Sequence, residues 1–449
     1  MNILYISSYA DPNPVNSNHT SISIVRSLIE NGMKVRMMTC HQDPTWQGEL
    51  PNGEFIIGGQ PVLETTRSGI GYVMTKLPNI WYDRHLTHVE WNHAVEWGIE
   101  LLKFLKPDIV HLQQWQNLWW MLASAQKLNI PTVYSVNDYG MICQRTMLIK
   151  SNGTVCSGPT STLKCVQCTF KGRSFVGKFN ELAAYIPGSF AVLNLIFKAG
   201  NSRVMRLSLH QRVRENLKRS AKVLNSCSAI IVGSPFGIDV VSLSGVQKEN
   251  IHIAPWFHDQ KDRCSPLKGE IENLTIGFVG RISHEKGLHI LLEAIELVHL
   301  SKPLTLRIAG GIEGAYAEEL HNKYKYKAGS NNIEWIGWID NSKLKQFYSS
   351  IQMTIIPSIA METGPLSLVE SLYHRRPVLC SNLAPMQWTN QLFGSGWSFA
   401  CADINALAEK ITSLANSKNL IIDASSQIKD PPSRTNYINK VIEIYDNLI

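Results

Sequence analysis

Met361-Glu362-Thr363-Gly364-Pro365-Leu366-Ser367-Leu368-Val369-Glu370 sets two carboxylates, with seven residues between them, across a junction from loop to helix. Upstream, Thr354-Ile355-Ile356 reads as a buried strand that ends at Pro357-Ser358; downstream, Leu366 to Tyr373 carries apolar residues at helical spacing. Glu362 then falls in the loop and Glu370 about one turn inside the helix. Gly364 lets backbone amides approach a ligand closely, and the helix N-terminus supplies partial positive charge suited to phosphate. A carboxylate that accepts from sugar hydroxyls beside an anion site describes a sugar-nucleotide pocket. The pair alone fits a solvated helix equally well, so the reading depends on its surroundings.

The nearest support lies at Leu274-Thr275-Ile276-Gly277-Phe278-Val279-Gly280-Arg281, a strand-like run closed by glycine. Ile282-Ser283-His284-Glu285-Lys286-Gly287 follows, then Leu288, Leu291, Leu292, Ile295 and Val298 at helical spacing. Arg281 and Lys286 therefore flank one strand-to-helix turn. In an open α/β sheet such turns line the crevice at the carboxyl ends of the strands, where ligands bind. Two cations there suit a diphosphate, Arg281 with a planar fork and Lys286 with a mobile point charge. Either residue alone reads as surface charge on a capping loop.

Together these stretches resemble the C-terminal half of retaining glycosyltransferases of the GT-B fold, the large group 1 type family with many bacterial lipopolysaccharide and exopolysaccharide enzymes. The resemblance runs through Gly277 to Arg281 and Lys286-Gly287, then Leu306-Arg307-Ile308-Ala309-Gly310-Gly311, Ile333-Glu334-Trp335-Ile336-Gly337-Trp338, and the Glu362 to Glu370 segment, closing at Arg376-Pro377-Val378-Leu379. Ordered elements of this kind are far more specific than a lone glycine motif. The resemblance implies two doubly wound Rossmann-like domains facing across a cleft, and transfer of a hexose from a UDP- or GDP-sugar with retained configuration and no catalytic cofactor. It also implies roles: Glu370 holds the ribose hydroxyls and Glu362 the donor sugar. Gly280, Gly310, Thr363, Gly364, Pro365 and Leu366 line the nucleotide, and Arg281 and Lys286 stabilise the departing diphosphate.

A length of 449 residues predicts two to three domains, and 44% hydrophobic with 18% charged residues excludes disorder as the default. Strand-like and helical patterns alternate along the first half: Ile3 to Ile6, Ser21 to Glu30, Val35 to Met38, Val89 to Leu105, Asp108 to Leu112, Thr132 to Val136 and Ala229 to Val232. The expected organisation is a first, acceptor-side domain over 1–255 with an excursion at 140–222, a nucleotide-sugar domain over 256–430, and a helix over 431–449 that crosses back onto the first.

That first domain departs from the family pattern. The loop after the first strand, Asp11 to His19, holds no glycine, where relatives carry a pair. His111 is kept after the next central strand and is expected to be catalytic, but Gln113 stands two residues on, and Asn137 occupies an expected histidine position. An amide hydrogen-bonds a hydroxyl but cannot take its proton. Asp138 is the nearest ionisable group, read as catalytic or acceptor-orienting, or else as the cap of the next turn. Asn137, Tyr139 and Trp115 are the expected acceptor contacts.

Cys143, Cys156, Cys165 and Cys168 follow one another with gaps of twelve, eight and two residues. The close pair has metal-knuckle spacing, and Gly153, Gly158 and Pro159 supply turns, so a structural zinc is one reading and free thiols the other. Between Lys171 and Lys222 eleven Lys or Arg face only Glu181 and Glu215, against +7 for the whole chain, so the positive excess is local. A basic, amphipathic pattern from Arg203 to Arg219 fits either an anionic bilayer surface serving a lipid-linked acceptor or a helix packed on the first domain. No targeting segment is visible at Met1 to Ser7, so the expected address is cytoplasmic, at the inner face of the membrane. Three rivals stay open: a sugar-nucleotide epimerase of the same fold, a binding protein with reduced activity, and, ranked last, a nucleic-acid-binding module.

Overall fold

The computed structural model describes residues 1–7, 19–40, 53–75, 77–78, 86–113, 118–159, 161–170, 209–258, 262–394 and 396–449. These form two compact units. The first contains Met1–Asn152, Cys156–Ala254 and Ile438–Ile449; the second contains Gly153–Val155 and Pro255–Tyr437.

The first unit is built on β1 (Asn2–Ile6), β2 (Lys34–Cys40), β3 (Gly53–Ile57), β4 (Gln60–Arg67), β5 (Ile70–Thr75), β6 (Ile109–Leu112), β7 (Thr132–Ser135), β8 (Ala229–Val232) and β9 (Ile251–Ile253). Among the described residues they make one sheet in the order β3-β4-β5-β2-β1-β6-β7-β8-β9. The strands from β2 to β9 pair in parallel, whereas β3, β4 and β5 form an antiparallel edge. Every residue of β6, β7 and β8 is buried, so no in-and-out alternation shows along them, and the polar His111, Thr132 and Ser135 lie inside beside the apolar residues. The antiparallel edge turns at Gly58-Gly59 and Ser68-Gly69, all four with positive φ, as tight hairpin turns require.

Helix formation follows local signals. His88–Leu105 opens with a capping box: Thr87 Oγ1 accepts from the Glu90 amide at 3.3 Å, and the Glu90 carboxylate accepts from the Thr87 amide at 2.8 Å. It stops at Lys106, left-handed at φ 46, before Pro107.

The second unit contains β10 (Thr275–Val279), β11 (Thr305–Ala309), β12 (Lys327–Ala328), β13 (Asn331–Gly337), β14 (Met353–Ile356), β15 (Val378–Ser381) and β16 (Gly396–Phe399). Their order is β12-β13-β11-β10-β14-β15-β16, parallel except for β12. The order in which successive strands are laid down across this sheet reverses at β10, with β11 on one side and β14 on the other. The loops that leave β10 and β14 therefore flank a topological switch point, where open α/β sheets bind ligands. The helix Leu366–Tyr373 is fixed to β14 through Ser371, whose hydroxyl donates to the Arg376 carbonyl at 2.9 Å and accepts from the Thr354 hydroxyl at 2.7 Å. Arg376 itself is buried, its guanidinium donating to the carbonyls of Tyr348, Ser265, His374 and Arg375. Tying a buried cation to carbonyls satisfies it without a carboxylate.

Candidate functional site at the switch point of the second unit

The loop after β10 and the loop after β14 are joined by one ion pair. Lys286 Nζ stands 2.6 Å from Glu362 Oε1, with the two side chains 24% and 14% exposed, and Ser358 Oγ donates to the same oxygen at 3.0 Å. The Ile359 amide also donates to the Glu285 carbonyl at 3.0 Å. Gly287, at φ 72, makes the approach possible: a Cβ there would lie 2.0 Å from the Pro357 carbonyl oxygen. Lys286 and Glu362 were expected to face a donor separately; they hold each other.

Gly280 and Gly310 lie side by side at the ends of β10 and β11. Gly280 has φ 147, and a Cβ on Gly310 would stand 2.3 Å from the Gly280 carbonyl oxygen. Arg281 extends outward, its side chain 73% exposed and 3.5 Å from Glu285. Its head group therefore stands in solvent at the rim, whereas Lys286 is held within by its ion pair. The helix Leu366–Tyr373 begins after Pro365, which offers no capping side chain, so its first amides are not closed off by their own N-cap. Thr363 and Pro365 are buried in the turn before it. Gly364 has a second reason to be glycine: a Cβ would meet Trp256 Cδ1 at 1.9 Å. That indole stacks on Tyr437, and neither contact was foreseen from the sequence.

Glu370 sits one turn into the helix. Tyr348 Oη donates to its carboxylate at 3.3 Å. Burial pushes the Glu370 carboxyl up to about 7, against the opposing pull of that hydrogen bond. Tyr348 in turn stacks on His374, whose Nδ1 lies 3.5 Å from Cys264 Sγ. Tyr348 was not foreseen, because it arrives from the helix Leu344–Ser349, outside every motif.

In the first unit, the switch point lies at β1, and its groups are neutral amides. Tyr5 Oη donates to Gln113 Oε1 at 2.7 Å, and Gln113 Nε2 donates to Asn137 Oδ1 at 3.2 Å, linking the ends of β1, β6 and β7. Asp138 Oδ1 accepts from the Gly140 amide at 2.6 Å, the turn-capping arrangement. Tyr139 is buried, edge-on to Phe236, so its ring packs inside and does not face an acceptor. Trp115 and the stretch Asp11 to Asn18 lie outside the described residues, as do Arg203 and Arg206.

His111 departs from its expected catalytic role. It is fully buried, with Nδ1 hydrogen-bonded to Tyr445 Oη and Nε2 2.8 Å from Ser135 Oγ. Desolvation lowers its pKa to about 3, so it stays neutral and has no lone pair or proton to spare for a reacting group. It acts instead as a hub that fixes the helix Arg434–Asp446. Replacing it by alanine removes one hydrogen bond from each of two buried hydroxyls and leaves a cavity where the ring stood. The expected cost is about 2–4 kcal/mol, against about 1 kcal/mol for Tyr445→Phe. Urea unfolding measures both, and a wild-type midpoint for His111→Ala would remove the hub.

The helix Leu209–Asn225 buries Val213, Val223 and Leu224, which makes its apolar side internal. Arg214, Lys218 and Lys222 are exposed at intervals of four, a basic stripe on a packed helix. Among the described residues no helix is long and apolar enough to cross a membrane. Cys143, Cys156, Cys165 and Cys168 are all reduced and half-buried, and all line one cavity of the first unit.

Residues 265–430 match the family model described as glycosyl transferases group 1. The capsular polysaccharide biosynthesis glycosyltransferase CapM of Staphylococcus aureus is 25% identical over 151 residues, 33% of this chain and 38% of that protein. Matches to curated relatives span only 32% to 43% of their length. Among solved structures, sucrose-phosphate synthase of Thermosynechococcus elongatus superposes with a TM-score of 0.64 at 16% identity, covering 100% of this chain and 99% of that one. Anabaena HepE in complex with UDP superposes at 0.62 and 12% identity, covering 100% of both. The chain has the GT-B fold, and its second unit carries a glycosyl transferases group 1 domain.

Proposed function

We propose that the chain transfers a hexose from a nucleotide-activated donor to a saccharide or lipid-linked saccharide, with retained anomeric configuration. The observation that carries the reading is the Lys286–Glu362 ion pair across the switch point, with Glu370 one turn inside the helix that follows Glu362. As the bond from the anomeric carbon to the diphosphate breaks, negative charge builds on the leaving oxygen. Lys286, Arg281 and the amides at the start of Leu366–Tyr373 supply preorganised positive charge for it. Glu362, held by Lys286 and Ser358, is oriented toward donor hydroxyls without serving as a nucleophile. Retention is supported by the likeness of the Glu362 to Glu370 segment to retaining enzymes, and the polysaccharide acceptor by the relation to CapM. HepE, solved with UDP, makes uridine diphosphate sugars the first donors to test.

Glu370 gives the site a pH signature. Its folded pKa, about 7, is raised above the unfolded value, so the stability contributed by the protonated form is lost as pH climbs toward 7. Ribose hydroxyls donate to the carboxylate, the form that dominates above that point. Donor affinity is therefore expected to fall about tenfold per pH unit below 7 and to level off above it. Calorimetric titration of UDP and GDP from pH 5.5 to 8.5 reads the profile. Glu370→Gln should flatten it, and Tyr348→Phe should move its midpoint upward.

The function itself is tested by screening nucleotide sugars for thermal stabilisation, then following products by mass and by the anomeric proton resonance. Inverted product would remove retention. Nucleotide binding without donor consumption, whatever the acceptor, would favour the binding-protein reading that Asn137 and Gln113, both unable to take a proton, keep open.

A further inference from the structure

We propose that Cys143, Cys156, Cys165 and Cys168 bind one zinc ion as a tetrathiolate site in the segment between β7 and the helix Leu209–Asn225. The four come from three separate stretches yet line a single cavity of about 380 Å³. Each stretch is shaped by backbone contacts that aim its thiol there. The Cys143 amide donates to the Tyr139 carbonyl at 2.6 Å, closing a tight turn. Cys156 is set by its amide on the Leu148 carbonyl at 2.7 Å, with the Gly158 amide 3.4 Å from its sulfur. Cys165 and Cys168 stand three apart on the helix Thr162–Phe170, hence on one face of successive turns. Thr146 and Leu148, with φ of 68 and 50, hold left-handed conformations between the first two thiols. Such backbone is costly for residues other than glycine and persists where something organises the loop.

Charge gives an independent argument. A zinc ion with four thiolates carries a net charge of −2. The cavity is lined by Arg145, Lys150 and Lys164 and by no aspartate or glutamate. Cations around an anionic centre offset it; around four neutral thiols they would only repel one another.

Among the described residues no three metal-ligating side chains are already arranged to hold an ion. The sulfurs ring a cavity larger than an ion needs, so binding draws the loop from Cys143 to Cys156 onto the helix until each sulfur reaches about 2.3 Å from the metal. Four thiols lose their protons and form four bonds to Zn²⁺, with no change of oxidation state.

The test uses the full chain purified under reducing conditions. Metal analysis and native mass spectrometry are expected to find about one zinc per chain. Zinc titrated into chelator-treated protein in weak buffer should release close to four protons and raise the unfolding temperature. Cobalt in its place should give thiolate-to-cobalt absorption. Cys165→Ser and Cys168→Ser should each lower metal content severalfold, while Cys401→Ser retains it. Where a serine variant fails to fold, the wild-type cobalt spectrum and proton count decide alone. Four thiols that react freely with a thiol reagent in the presence of zinc would overturn the site, as would pairs of hydrogens missing from the intact mass, the mark of disulfides.

Discussion

Replacing Lys286 by alanine is expected to lower donor turnover by about a hundredfold or more, the usual cost of deleting one preorganised group that meets developing charge. The fold should survive. Glu362 loses its ion pair but keeps the Ser358 hydroxyl on the same oxygen at 3.0 Å, so the stability loss should be about 1–2 kcal/mol. Lysine at this position is fixed by the Glu362 contact at 2.6 Å, unlike Arg281, whose side chain is 73% exposed. Arg281→Ala should accordingly weaken turnover less than Lys286→Ala. The measurement is kcat/KM beside the thermal midpoint of each variant. A folded Lys286→Ala protein with wild-type turnover would take the lysine out of the reaction.

The second large effect belongs to Gly287→Ala, which is expected to destabilise the second unit by about 3 kcal/mol or more. Two costs combine. Alanine at φ 72 pays roughly 1–2 kcal/mol for the left-handed conformation. Its Cβ would also stand 2.0 Å from the Pro357 carbonyl oxygen, a backbone atom that cannot step aside without parting the two loops. Gly394→Ala separates these terms, because Gly394 is left-handed at φ 74, as Gly287 is, while its added carbon would meet nothing closer than the Gln427 carbonyl oxygen at 3.5 Å. It should cost only the conformational share. Urea unfolding of both variants gives the comparison, and equal losses would show that the crowding at Pro357 is relieved cheaply.

Much of the second unit could be read from the chain itself, because its signals are local. A buried apolar run such as Thr354-Ile355-Ile356 followed by a loop and the periodic Leu366 to Tyr373 has few alternatives to strand and helix. The observed β14 and Leu366–Tyr373 have those limits within a residue. The parallel alternation of the first half was legible for the same reason. The edge strands β3 to β5 were not recognised, although Gly58-Gly59 and Ser68-Gly69 are hairpin signals flanked by Phe55, Ile56, Val62 and Ile70.

Side-chain partnerships were the harder part. That His111 meets Ser135 and Tyr445, or that Glu370 lies beneath Tyr348, depends on tertiary placement between residues far apart in the chain, which periodicity does not encode. His111 shows the consequence: the residue type suggests proton transfer, but burial decides against it. Gly364 shows the opposite case, where a glycine expected for a ligand's sake is also demanded by the Trp256 indole.

The bond between His111 and Tyr445 joins residues 334 positions apart. On a ribosome, the strand that carries His111 emerges long before its partner exists, and the whole of the second unit must be translated in between. The earlier-made unit therefore spends most of synthesis with one nitrogen of a central polar ring still waiting for its partner, while the other already meets Ser135, and a folding unit kept incomplete in this way is open to mispairing with other nascent chains.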